Sequence, residues 1–181
     1  VETENSMFTS SRTDRNGNVI IENGITASFQ NERKTGGLEV KKTVNSDEGT
    51  DLNTQYNFTV ELQNADGGAA DLGITDEAGK TYDGMTFRTV STTTGEGDNA
   101  VTTTKTIAEF TVSNNQTVTA TGLPVGLKNI VTEEGIDGIV RTSTGEIGTI
   151  SGNGNNKADF QNTRAESGLI ISKSVVSDLD R

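Results

Sequence analysis

Lys42, Glu133 and Asn162 each stand where the alternation of a strand asks for an apolar side chain. In GLEVKKTV, Leu38, Val40 and Val44 share one face, and the period of two places Lys42 on it. Asn162 is in phase with Phe160, and Glu133 with Val131. An amine, a carboxamide and a carboxyl are thus aimed inward from three strands. A lone inward lysine is ordinarily a slipped register or a snorkelling edge residue. Three inward polar groups call for chemistry instead. Burial disfavours the charged forms, so Lys42 is expected as a neutral amine and Glu133 as a neutral acid. An amine held against the Asn162 amide attacks its carbonyl carbon, while the acid polarises the carbonyl and shuttles protons as ammonia leaves. Amides are poor electrophiles, but fixed orientation in a dry site supplies an effective molarity of about 10⁵ M or more. The expected product is a Lys–Asn isopeptide crosslink, formed once per domain without a cofactor. In that sense the chain is no turnover enzyme.

Two of these residues recur. FQNERKTGGLEVKK begins at Phe29 and FQNTRAESGLIISK at Phe160, so Phe29, Asn31, Arg33, Gly37, Leu38, Lys42 and Val44 reappear at one constant offset as Phe160, Asn162, Arg164, Gly168, Leu169, Lys173 and Val175. Self-similarity at a fixed period marks modules strung end to end, and this period is too long for a solenoid repeat, so each unit should carry its own core. The chain divides accordingly: residues 1–34 as the C-terminal part of a preceding repeat, 35–166 as one complete domain, and 167–181 as the first strand of a following repeat.

The elements that must position the triad read as short strands. Threonine, valine, isoleucine, asparagine and glycine dominate, which suits strands and turns rather than long helices. Residues 38–44 and 56–62 alternate cleanly, with Tyr56, Phe58, Val60 and Leu62 inward. NADGGAAD and DEAGKTYDG are turn clusters. Strands follow at 85–92 and 100–112, separated by the polar loop TTTGEGDN. AEFTVSNNQTVTATGLPVG reads as a hairpin and a turn at Leu123–Gly126, leading to a strand that ends at Glu133. One weak strand, a Gly/Asn loop and a closing strand ending at Asn162 complete the unit. GNVIIEN and ITASFQN read as the last strands of the preceding unit, with polar NERKTG as the joint. The expected fold is all-β: an antiparallel, immunoglobulin-like β-sandwich in tandem repeat, with one complete domain and two partial flanking ones.

Charge and composition bound the partners. A formal charge of -11 without a basic cluster repels nucleic acid and anionic membrane. No apolar run is long enough to span a bilayer in this segment. The chain has no histidine, cysteine or G-x-S-x-G elbow, which leaves only carboxylate pairs for hydrolysis, in a chain with few aromatics to line a cleft. Asp66, Asp71, Asp76, Asp83 and Asp98 suggest calcium, but no stretch has the spacing of a calcium loop, so no metal is expected. An adhesin module whose loops TTTGEGDN and SGNGNN bind a host protein or glycan is the alternative reading.

The Leu-x-Val-x-Lys strand, then F-T-V, G-L-P-V-G followed by V-T-E, and the closing F-x-N resemble the isopeptide-forming pilin and collagen-adhesin B-type domains of Gram-positive surface proteins. The resemblance spans residues 37–164 and both partial repeats. It implies Lys42 and Asn162 as the crosslinked pair and Glu133 as the catalytic acid, with Glu2, Asn31 and Lys173 as the equivalents in the flanking repeats. Asn129 replaces the aromatic that this family often carries four residues before the acid. The resemblance further implies an extracellular, cell-surface fibre or pilus whose partners are neighbouring copies of the same repeat, with a host surface ligand under the alternative reading.

Overall fold

The computed structural model describes residues 8–12 and 29–165. Two sheets hold all the strands described between Thr35 and Arg164. One has four strands: β3 (Thr35–Asn45), β8 (Thr117–Pro124), β10 (Ile139–Thr144) and β12 (Asn155–Arg164), in the order β10-β12-β3-β8. The other has six: β4 (Tyr56–Gln63), β5 (Lys80–Tyr82), β6 (Met85–Thr94), β7 (Val101–Val112), β9 (Lys128–Glu133) and β11 (Ile147–Thr149), in the order β11-β9-β4-β7-β6-β5. A short helix, α1 (Gly49–Asn53), joins β3 to β4. The inward faces of both sheets merge into one apolar cluster, which includes Leu38, Val40, Phe58, Val60, Leu62, Phe87, Ala158 and Phe160. Phe58 from one sheet meets Phe160 from the other edge to face, with ring centroids 5.0 Å apart.

The alternation read from the sequence sets these faces. Leu38, Val40, Lys42 and Val44 are buried while Lys41 is exposed, and Tyr56, Phe58, Val60 and Leu62 are all at most 1% accessible. The first and last strands of the unit, β3 and β12, are neighbours and run parallel, with Phe160 opposite Lys42 and Asn162 opposite Val44. This pair departs from the otherwise antiparallel pattern that was expected, and it brings together residues from the two ends of the domain. At the start of β3 a register shift falls between Gly36 and Gly37. A Cβ at Gly36 would lie 1.9 Å from the Ser151 carbonyl oxygen, so only glycine permits that approach.

Several local expectations are corrected. β7 and β8 do not form a hairpin: the turn Ser113–Gln116 carries the chain from the six-stranded sheet to the four-stranded one. NERKTG is largely strand: Asn31, Glu32 and Arg33 close strand β2 (Phe29–Arg33), Thr35 opens β3, and Lys34 alone lies between them. KTY, read as part of a turn cluster, is strand β5, and the closing strand continues past Asn162 to Arg164.

N-terminal to these two sheets, β1 (Phe8–Arg12) pairs antiparallel with β2: Phe8 opposes Arg33 and Ser10 opposes Asn31. In the four-stranded sheet Ile139 opposes Arg164 and Arg141 opposes Asn162. Shifted by the repeat offset, the two ladders have the same register. GNVIIEN, Glu2, Lys173 and the strand expected after Ser167 lie outside the described residues.

Candidate functional site

Lys42 is held from both ends of its peptide unit. Its N–H donates to the Gln116 carbonyl at 3.0 Å, and its carbonyl accepts from the Asn115 N–H at 2.9 Å. The Asn114 side chain then accepts the Val44 N–H at 2.8 Å. The turn that changes sheets is therefore also the brace that fixes the lysine backbone. Asn115 adopts a left-handed φ of 60°, a conformation asparagine tolerates better than most residues. The Lys42 side chain is fully buried and runs inward, with Nζ 4.4 Å from the centre of the Tyr56 ring.

The three residues singled out in the sequence meet between the sheets. Lys42 and Asn162 come from adjacent strands of the four-stranded sheet, and Glu133 reaches them from β9 in the facing sheet. Lys42 Nζ donates to Glu133 Oε1 at 2.8 Å and to Oε2 at 2.9 Å. Asn162 Nδ2 donates to the same Oε1 at 2.6 Å. One carboxyl oxygen thus touches both the amine and the amide nitrogen. Glu133 and Asn162 are each 2% accessible, so all three groups are removed from water. Burial pushes the Lys42 amine below the usual lysine range, against the hydrogen bond and negative charge of Glu133, which favour the ammonium. Asn162 Oδ1 is a buried acceptor with no hydrogen-bond partner among the described residues. Such an atom costs about 1–3 kcal/mol when left unsatisfied.

Aromatic side chains wall the site. Tyr56 covers Nζ, and its hydroxyl donates to the Asp51 carbonyl at 3.0 Å. Phe160 lies opposite Lys42 in the parallel ladder. At the end of β12, Arg164 forms a two-pronged ion pair with Asp51, which also accepts from Ser46 Oγ at 2.6 Å. The Arg164 hydrogen bonds hold the Asp51 carboxyl down to about 2.

Asn129 is also fully buried on the inward face of β9. Its Oδ1 accepts from Asn156 at 3.2 Å, and its Nδ2 has no partner among the described residues. The residues Asp66, Asp71, Asp76, Asp83 and Asp98 do not converge, and among the described residues no three acidic groups gather to hold a metal ion. Asn31 is exposed on β2. Sequence reasoning missed Arg141, whose Nη1 donates to the main-chain carbonyl of Glu133. Its one signal was positional, since it lies directly opposite Asn162 on β10.

The family described as a domain of unknown function, DUF7601, matches residues 36–164, a span that contains the whole triad. The chain belongs to this family. No curated protein matches. Among solved structures, the domain is similar to a pilus-presented adhesin (Cpa), at 16% identity and a TM-score of 0.49, over 76% of this chain and 30% of that one. It is similar to the major pilin from Streptococcus pyogenes, at 20% identity and a TM-score of 0.41, over 78% of this chain and 53% of the pilin. A second major pilin from the same organism is 18% identical, with a TM-score of 0.44, over 78% of this chain and 50% of that one. This chain therefore spans less than a third of the adhesin and about half of each pilin. No helix among the described residues is long and apolar enough to cross a membrane.

Proposed function

We propose that residues 35–166 form a load-bearing module of an extracellular surface fibre, stalk or pilus, closed by an autocatalytic isopeptide bond between Lys42 and Asn162. The observation that carries this reading is the shared oxygen: Glu133 Oε1 lies 2.8 Å from the nucleophile and 2.6 Å from the nitrogen that must leave. Glu133 accepts a proton from Lys42, and the resulting neutral amine attacks Asn162 Cγ. The acid gives its proton to Nδ2 as the Cγ–Nδ2 bond breaks, and the carboxylate then takes the second proton from Nζ, so Glu133 ends protonated. A new Nζ–Cγ bond forms and one ammonia departs, so atoms and charge balance. A half-turn of the Asn162 amide would present the unpaired Oδ1 to the protonated carboxyl, which would polarise the carbonyl for attack.

The placement of the bond suits tension. It would join adjacent parallel strands from the two ends of the unit, so a pull entering through β3 and leaving through β12 would bypass the chain between residues 42 and 162. By analogy with the chain-entropy argument for disulfides, closing a loop of this length adds on the order of 5 kcal/mol. That gain would matter to a cysteine-free chain with few aromatics. The repeated FQN-x-R segment, and the common register of β1–β2 and β10–β12, support tandem copies as neighbours in one chain.

Intact mass spectrometry of residues 35–166 tests the proposal. The wild type should be lighter than its sequence by one ammonia, and Lys42→Ala, Asn162→Ala and Glu133→Ala should have their full masses. A wild type of full mass would sink it.

A further inference from the structure

Glu133 can serve both nitrogens only if the end of β9 is held in place, and the sheet holds it on the β4 side alone. β11 pairs with β9 only as far as Ile130. On the other side, the N–H of Glu134, rather than that of Glu133, donates to the Asn57 carbonyl of β4 at 2.9 Å. In an antiparallel ladder this turns the Glu133 carbonyl away from β4, toward the free edge of the sheet. Val131 faces the same edge, and its N–H is taken by the Glu146 carbonyl at 2.8 Å. Two residues further on, the Glu133 carbonyl is taken by Arg141.

Arg141 belongs to the opposite sheet. It sits on edge strand β10 directly across from Asn162, so the two side chains leave the same face. Its hydrogen bond therefore ties the strand of the amide, through β10, to the strand of the acid. The groups around Lys42 Nζ are Glu133 from β9, Tyr56 from β4, Asn162 from β12 and Arg141 from β10. The arginine charge disfavours the ammonium of Lys42, and its hydrogen bond holds the Glu133 backbone.

We propose that Arg141 is a positioning residue for the crosslinking reaction, holding the end of β9 so that the Glu133 carboxyl reaches Lys42 and Asn162 together. The inference rests on the crosslink proposed above. It distinguishes the two copies of the ladder, because the residue opposite Asn31 is Ser10, whose side chain is far shorter than arginine's. A misplacement of about 1 Å can cost on the order of 100-fold in an oriented reaction.

The test is the rate of ammonia loss in the full chain, sampled at intervals from cell-free synthesis and read by intact mass. Arg141→Met keeps the length and removes the donor, and should slow the reaction about tenfold or more. Arg141→Lys keeps a donor and should recover most of that rate, a rescue that a merely packing role would not produce. Each substitution is also placed in Asn162→Ala protein and its thermal unfolding measured, which separates loss of fold from loss of rate. If the wild type loses ammonia and folded Arg141→Met loses it equally fast, the positioning role is overturned while the crosslink stands. If the wild type keeps its full mass, both fail.

Discussion

Asn129 and Asn162 are two buried carboxamides in one domain, each with one atom lacking a hydrogen-bond partner among the described residues. Asn162 shares a carboxyl oxygen with a buried amine, whereas the hydrogen-bond partner of Asn129 is another amide, that of Asn156. Burial and an unsatisfied polar atom are thus common to both and cannot by themselves make a reactive amide. A buried amine and a shared carboxyl are what set Asn162 apart, and under the proposed function they serve as its nucleophile and proton relay. The same comparison gives meaning to Asn129 itself, which stands four residues before the acid where an aromatic was the familial expectation. The space there is filled by a polar pair, since Asn156 also donates to the Thr149 carbonyl at 2.6 Å.

The sharpest way to break the comparison is to disarm Asn162 from either side. Lys42→Ala and Asn162→Ala should both abolish ammonia loss and lower unfolding stability by on the order of 5 kcal/mol through the lost loop closure. They should not be equal. Lys42→Ala also strands the Glu133 carboxyl without its cation, and breaking a buried pair costs a further 3–5 kcal/mol or so. Denaturant unfolding should therefore rank wild type above Asn162→Ala and Asn162→Ala above Lys42→Ala. Equal midpoints for the two variants would show that the ion pair is not the buried partnership drawn here.

Glu133→Gln probes the relay. It keeps the shape and removes the transferable proton, so crosslinking should slow by about 10²-fold or more, the scale of general acid–base catalysis. A variant that crosslinks at the wild-type rate would remove Glu133 from the chemistry and leave it as a counter-ion.

Asn129→Leu is the control on the other amide. Crosslinking should go to completion as in the wild type, and stability should rise or hold to within about 1–2 kcal/mol, because a buried N–H without a partner disappears. Loss of the crosslink in this variant would mean that the two amides are coupled through β9 and are not separate cases.

The triad was legible because a strand with one buried face admits no slip: moving Lys42 by one residue would have exposed Leu38, Val40 and Val44 together. The same period placed Glu133 with Val131 and Asn162 with Phe160. What escaped the sequence lacked such a face. β10 reads IVRTST, with Val140 at 56% accessible and no alternation to betray it, so Arg141 went unremarked. β5 is three residues set between turn residues Gly79 and Asp83. Between β7 and β8, Ser113–Gln116 has the composition of a hairpin turn, and only the packing of both sheets shows that it crosses between them. It also braces Lys42, a task no local pattern announces.

The smallest effect concerns the residue two positions beyond Asn162. Arg164 fastens the end of β12 to Asp51 by charge, where the proposed isopeptide would fasten the same strand covalently. The Asp51 carboxyl is held at about 2, below its ordinary value of 3.8, chiefly by the Arg164 hydrogen bonds and then by Ser46. A carboxyl whose folded value is depressed binds fewer protons folded than unfolded, so its contribution is fully present above 3.8 and is lost as the pH falls through about 2. In Asn162→Ala protein, where no covalent closure masks the clasp, stability should fall between pH 5 and pH 2, and Asp51→Asn should remove part of that fall. Crosslinked protein should still lose the clasp in acid but unfold later, because β12 would remain tethered through residue 162. An acid transition indifferent to Asp51→Asn would mean that the ion pair orders the end of β12 without stabilising it.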